Sequence, residues 1–317
     1  MMQLTDEVIG QLNEWEGFMS VKPTWLFDQL LLRSETIIAL FTGNQWGKNT
    51  NIIKQYVMRW LGIHPIEVKN IRPGDTVRTY RFCSEVLPND PNSETKNTIY
   101  PVIKRMVPKS LILQDVSIRK PTMVLKDVQG GEPIILEFVS YNQDVQTQAG
   151  TQRKSVYIDE RCSREFYTEQ LPRLLRGRGD LIIGMTPALG QITWQFEDIY
   201  EGADCIVRTQ KVLERYAQRF GEYYKPIHKN NNHNNIAVLM AATDDNPVYQ
   251  QIVDEVNKRE RTSMSTSDYI TNYLGVMDEE TMDIRRYGIF RQIHGRIFRD
   301  FDSMHIVPDN LFGLGDD

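Results

Sequence analysis

The stretch 36-TIIALFTGNQWGKNTNIIKQYVMRWLG-62 decides how the rest of the chain is read. Its first seven residues, 36-TIIALFT-42, are all apolar or β-branched, the composition of a short strand buried on both faces. A turn follows at 43-GNQWG-47, and from Lys48 the spacing becomes helical. A strand that enters a tight glycine turn and leaves as a helix aims several backbone N–H groups and a helix N-terminus at one point, which suits a phosphate chain. The loop residues are then Gly43, Asn44, Gln45, Trp46, Gly47, Lys48, Asn49 and Thr50, with Lys48 placing an ammonium on the phosphates. The spacing departs from the usual phosphate loop twice. Thr42 holds the position of the first glycine, and Asn49 that of the hydroxyl after the lysine. A plain glycine turn between strand and helix is the competing reading of this segment alone.

A second segment, 155-SVYIDERC-162, is an apolar strand ending in Asp159 and Glu160. A magnesium ion bound to nucleotide takes a carboxylate at the C-terminal edge of a strand, and hydrolysis takes an orienting base beside it. A third, 181-LIIGMTPALG-190, is a strand that ends at Thr186 before a proline turn. A hydroxyl there is positioned to sense the terminal phosphate.

Working outward, further strand candidates are 76-TVRTYRFC-83, 203-ADCIVRT-209 and 236-IAVLMAAT-243. Helical spacing falls between them, as in 163-SREFYTEQLPRLL-175, so the pattern predicts an α/β fold with a mostly parallel central sheet and helices on both faces. The runs 120-KPTMVLKD-127 and 133-PIILEFVSY-141, joined through QGGE, read as an antiparallel hairpin added to that sheet. The run 229-KNNNHNNI-236 reads as an exposed loop. Past Pro247 the text becomes charged and then irregular, which sets an expected boundary near residue 250, with 1–250 as the main domain and 251–317 as a small linker or lid. The chain has 317 residues, 42 acidic and 37 basic, for a net charge of −5. An acidic total argues against a general polyanion binder but leaves room for a local basic track. Apolar runs are too short to span a bilayer, so no membrane partner is expected. Cys83, Cys162 and Cys205 lack metal spacing and read as small apolar side chains in a reducing cytoplasm.

Taken together, the loop at 43–50, the distant strand ending in Asp159-Glu160 and the strand ending in Thr186-Pro187 resemble the ATPase portion of the large terminase subunit of tailed bacteriophages. The form GNQWGK, the segment 244-DDNPVY-249 and the later 295-GRIFRDFDSMHIVPDN-310 carry the same resemblance. It implies a P-loop NTPase of the additional-strand type that hydrolyses ATP with Mg2+ and translocates double-stranded DNA into the procapsid. Implied partners are the portal protein, the small terminase subunit and further copies of the chain in a ring, at the procapsid portal in the host cytoplasm. Carried over by position, Lys48 is the loop lysine, Asp159 and Asn49 stand on the metal side, Glu160 is the catalytic glutamate and Thr186 the coupling residue. Arg153 matches the arginine donated in trans. Gln29, in 22-KPTWLFDQLLL-32, stands where the family reads the adenine edge, and Trp25 or Phe27 either stacks on the base or belongs to the core.

The resemblance also sets an expected absence. The closing 313-GLGDD-317 has only the adjacent Asp316 and Asp317, which a strand would point to opposite faces, so no nuclease centre is expected in this chain. For DNA contact two basic stretches stand out: residues 101–120, with Lys104, Arg105, Lys109, Arg119 and Lys120, and residues 171–180, with Arg173, Arg176 and Arg178. A solvated face is the competing reading of each. A helicase-like nucleic-acid ATPase and, because of Asn49, a non-hydrolysing nucleotide-gated assembly module remain as alternatives.

Overall fold

The computed structural model describes residues 15–86, 90, 93–117, 121–143, 151–187 and 193–290. The segments 295–310 and 313–317, together with Arg119 and Lys120, lie outside the described residues. The strands are β1 (Ile37–Thr42), β2 (Thr79–Ser84), β3 (Ile112–Gln114), β4 (Thr122–Leu125), β5 (Ile134–Ser140), β6 (Ser155–Asp159), β7 (Asp180–Met185), β8 (Cys205–Arg208), β9 (Ile227–Lys229) and β10 (Ile236–Ala241). They form one sheet in the order β3-β4-β5-β2-β6-β7-β1-β10-β8-β9. The seven strands from β5 to β8 run parallel; β3, β4 and β9 complete the edges antiparallel. One strand, β7, separates the loop strand β1 from the carboxylate strand β6, which is the additional-strand arrangement the sequence predicts.

The helices are α1 (Glu16–Ser20), α2 (Trp25–Leu31), α3 (Lys48–Trp60), α4 (Tyr100–Met106), α5 (Arg164–Gln170), α6 (Gln210–Phe220), α7 (Pro247–Glu260), α8 (Thr266–Leu274) and α9 (Glu279–Arg285). Alternate residues of each central strand feed two separate cores. Ile38, Leu40, Phe82 and Tyr157 pack with α2, α3 and α4 on one face. Ala39, Phe41, Val156, Ile158 and Ile183 pack with α5 and α6 on the other. This double burial explains why 37–41 and 181–185 read as unbroken apolar runs.

The hairpin of β4 and β5 forms in the expected antiparallel register, Thr122 opposite Glu137. Helix α7 runs through residue 250, capped by the Asn246 side chain on the Val248 N–H with Pro247 in its first turn. The chain then returns to the sheet. Ile284 and Ile289 are buried, and Phe290 meets Phe41 edge-on at 4.6 Å. The three cysteines are buried and free. Among the described residues no helix is long and apolar enough to cross a membrane.

Candidate functional site

Helix α3 starts without a side-chain cap. Its N-cap is Gly47, held at φ 80°, a left-handed conformation open to glycine at little cost. Gln45 is also left-handed, at φ 54°. Among the described residues, none accepts a hydrogen bond from the backbone N–H groups of residues 45–50. Unpaired donors at the positive end of a 13-residue helix make an anion site. The loop itself is braced from behind. Trp46 turns inward, 1% exposed, and donates from its indole nitrogen to the Ala242 carbonyl at 2.5 Å, so only its backbone faces the site. Asn246 Nδ2 donates to the Gln45 carbonyl at 2.9 Å. Gly43 has a different role from the cradle the sequence suggests: a Cβ there would lie 2.2 Å from the Arg286 carbonyl oxygen. The chain after α9 crosses at that point, and its Arg285 carbonyl accepts the Asn44 N–H at 2.7 Å.

Opposite the loop, β6 and β7 end side by side and deliver the acidic groups. Lys48 Nζ lies 3.6 Å from Glu160 Oε1 and donates to Thr186 Oγ1 at 3.3 Å. The Thr186 N–H donates to Glu160 Oε2 at 3.3 Å. Glu160 holds φ 66°, a strained value for a residue with a side chain, pinned by its N–H to the Gly184 carbonyl at 2.9 Å. Asn49 Nδ2 donates to Asp159 Oδ2 at 3.2 Å. The Tyr157 hydroxyl sits between them; its single proton goes to Asp159 Oδ1 at 2.8 Å or to Asn49 Oδ1. Sequence reasoning assigned Tyr157 no role. Its signal was a phenol in a fully buried strand, which requires a polar partner.

Burial, and secondly the Glu160 carboxylate, raise the pKa of Asp159 from 3.8 to about 6. The stability attached to its neutral form is complete below pH 4 and is lost as pH rises through 6, by about 3 kcal/mol. In protein free of metal and nucleotide, Asp159→Asn is therefore expected to be more stable than the parent by about 2–3 kcal/mol at pH 8 and equal to it at pH 4. Urea unfolding at both pH values measures this, and a gap of the same size at both would trace the effect to packing instead.

Three other sequence assignments concern residues away from the loop. Arg153 stands at the head of β6, the end of the strand away from Asp159, and is 1% exposed. Its Nε donates to Glu137 Oε2 at 3.0 Å, and Arg81 Nε donates to the same oxygen at 3.0 Å. In the single chain this arginine is thus buried and paired, and a trans role would require the pair with Glu137 to open. Phe27 is 4% exposed and the half-buried Trp25 packs against the same core, in line with the core reading of the two rings. Gln29 lies half-buried on α2, which packs on α3 through the Thr24 hydroxyl and Asn51. Sequence reasoning assigned Arg286 no role and marked Asp244 only as part of 244-DDNPVY-249. Arg286 Nε and Nη2 grip the two oxygens of Asp244 at 2.7 and 2.5 Å, both side chains at most 5% exposed, and so clamp the C-terminal segment onto the loop.

No protein-family model matches the sequence, and no curated protein matches it. Among solved structures, an arginine-to-alanine variant of the large terminase ATPase domain of Thermus phage P74-26 aligns with 92% of this chain and 100% of its own. Its TM-score is 0.57 at 12% identity. A second structure of that domain gives 0.54 at 11% identity, over 90% of this chain and 98% of that one. The large terminase of the thermophilic bacteriophage D6E gives 0.51 at 11% identity over 87% of this chain, which spans 52% of its length. At these identities the likeness is one of fold, and the chain has the fold of a phage large-terminase ATPase domain.

Proposed function

We propose that the chain hydrolyses ATP at the head of α3 and uses the cycle to translocate double-stranded viral DNA. The observation that carries this reading is the meeting of Lys48, Glu160 and Thr186 within 3.6 Å of one another, with Asp159 beside them and an uncapped helix N-terminus in front. The free N–H groups of 45–50 hold the β- and γ-phosphates, and Lys48 places its charge between them. An incoming γ-phosphate competes with Glu160 for Lys48. Once released, the Glu160 carboxylate orients a water for in-line attack on the γ-phosphorus, the bond to the β–γ bridging oxygen breaks, and ADP and phosphate leave. Thr186, tied to both Lys48 and Glu160, registers that loss.

Magnesium fits the site. Among the described residues no three acidic, histidine or cysteine side chains gather into a cage, which agrees with an ion held largely by phosphates and water. Asp159, buried beside Glu160 with its pKa raised, is the carboxylate that a cation would stabilise. Asn49 has its amide engaged by Asp159 and Tyr157, so it orients Asp159 rather than binding the ion directly. When bound, magnesium would neutralise charge on the β- and γ-phosphates.

For DNA, the edge of the sheet opposite the loop is the better track. A depression of about 380 Å³ there is lined by Arg72, Lys154, Arg176 and Arg178 against Glu67 and Asp75. Arg176 and Arg178 are exposed and form no ion pair among the described residues. Asp180 does not offset them, since it is buried against Arg59 and Lys69. In the other basic stretch Lys104 is already paired with Asp115 at 2.7 Å. The double variant Arg176→Ala/Arg178→Ala is expected to weaken duplex binding at every sequence and to reduce the slope of log K against log salt by about two, with ATP binding unchanged. An unaltered slope would move the track elsewhere. We further propose that residues from 251 onward act as the lid or linker, and that the chain works as a ring on the portal with the small terminase subunit. Duplex-stimulated phosphate release with triplex displacement, absent in Lys48→Ala, tests the motor; strand separation instead would make it a helicase.

A further inference from the structure

Tyr157 is fully buried in β6, and its ring meets Phe82 edge-on with centroids 6.2 Å apart. Volume alone would accept phenylalanine there, since a buried hydroxyl costs stability unless it is partnered. The fold instead makes room for the oxygen. Gly184 lies opposite Asp159 on β7, and a Cβ there would stand 2.9 Å from the Tyr157 hydroxyl and 3.2 Å from its Cε2. Glycine inside a buried strand weakens it, so two core positions depart from best packing around one hydroxyl. That hydroxyl lies 2.8 Å from Asp159 Oδ1 and also contacts Asn49 Oδ1, while Asn49 Nδ2 donates to Asp159 Oδ2 at 3.2 Å. The three side chains close a ring. It holds the Asp159 carboxylate at both oxygens and Asn49 at both ends of its amide.

We infer that Tyr157 is a positioning residue for the cation: its hydroxyl fixes the Asp159 carboxylate from the strand side and so offsets the hydroxyl that the loop lacks at Asn49. The inference rests on the ATP reading and on the magnesium site within it. In the usual phosphate loop a serine or threonine after the lysine and a strand carboxylate hold magnesium together. Here Asn49 turns its amide to Asp159 and Tyr157, so that position offers the ion no hydroxyl and more of the binding falls on Asp159. A carboxylate free to rotate must be ordered when the ion binds. One already held by its neighbours need not be, which is how groups behind a metal ligand raise its affinity. Tyr157 stands two residues before Asp159, so it projects from the same face of β6 and reaches Asn49 on α3 as well.

The test is calorimetric binding of the β,γ-imido analogue of ATP, in magnesium and in EDTA. It is applied to the full chain, to Tyr157→Phe and to Tyr157→Phe/Asn49→Thr, with urea unfolding to show that each is folded. Tyr157→Phe should raise the magnesium concentration for half-maximal binding about 10- to 100-fold, the usual effect of losing a group behind a metal ligand, and leave binding in EDTA unchanged. Its loss of kcat should recover at high magnesium. Asn49→Thr in that background should recover most of the magnesium response, because a hydroxyl then stands at its usual place after the lysine. If Tyr157→Phe does not fold, Gly184→Ala, which displaces the hydroxyl and keeps the tyrosine, is read in the same way. A parent-like magnesium response in Tyr157→Phe, an equal loss in EDTA, or no recovery in the double variant would overturn the positioning role. Equal parent affinity in magnesium and EDTA would overturn it too, by removing the cation from the site. A parent chain that binds the analogue under neither condition would overturn the ATP reading itself, and this role with it.

Discussion

Glu160→Gln is expected to bind ATP as the parent does and to lose about 10²–10⁴ in kcat, the usual effect of removing a water-orienting base. Glutamine keeps the shape of glutamate and keeps an oxygen for the Thr186 N–H, now at 3.3 Å from the carboxylate. It loses the charge that faces Lys48 at 3.6 Å and with it the capacity to polarise water. The side chain is 46% exposed, so water reaches it, whereas Asp159 is 4% exposed and held by Asn49 and Tyr157. In the proposed mechanism that contrast gives the two adjacent carboxylates different tasks. Steady-state phosphate release beside calorimetric binding of ATP measures both halves of the expectation. Parent-like turnover would remove Glu160 from the chemistry, and a loss of binding would mean that it serves only to position Lys48.

The largest expected loss of stability comes from Asp180→Asn, far from the phosphate edge. Asp180 heads β7 and accepts two guanidinium bonds from Arg59 at 2.8 and 2.7 Å and the Ser155 hydroxyl at 2.6 Å. Lys69 lies 3.0 Å away, and all three charged side chains are at most 6% exposed. Burial alone would raise the carboxyl pKa, but Arg59 and then Lys69 outweigh it and hold the group well below the usual carboxylate range. Neutralising it leaves two buried cations without an anion, and breaking a buried pair from one side costs about 3–5 kcal/mol. The sign follows from the depressed value: the contribution is complete above pH 4 and fades as pH falls below it. Urea unfolding at pH 7 should show the full difference from the parent and unfolding at pH 3 a smaller one. A difference under about 1 kcal/mol at pH 7 would mean that water reaches Arg59 and Lys69 despite their burial.

Local pattern determined much of this protein. Residues 36–50 specify strand, turn and helix by composition alone, because a strand covered on both faces must be apolar throughout and a helix that opens on Gly47 leaves its first N–H groups free. The carboxylates at 159–160 and the threonine at 186 follow from the same rule, since they are the first polar residues after buried strands. Tertiary structure decided the rest. Strands β3 and β9 are three residues each, too short for periodicity to register, and exist through their pairing with β4 and β8. Asn49 meets Tyr157 and Asp159, Lys48 meets Thr186, and Arg59 meets Asp180 across separations of more than 100 residues. Gly43 is glycine because Arg286 crosses it, and Arg153 is buried because Glu137 on β5 is there to pair with it. Hydrophobic period reports only whether a side chain is inside. Which polar groups meet there is set by strand order, and strand order is a property of the folded sheet.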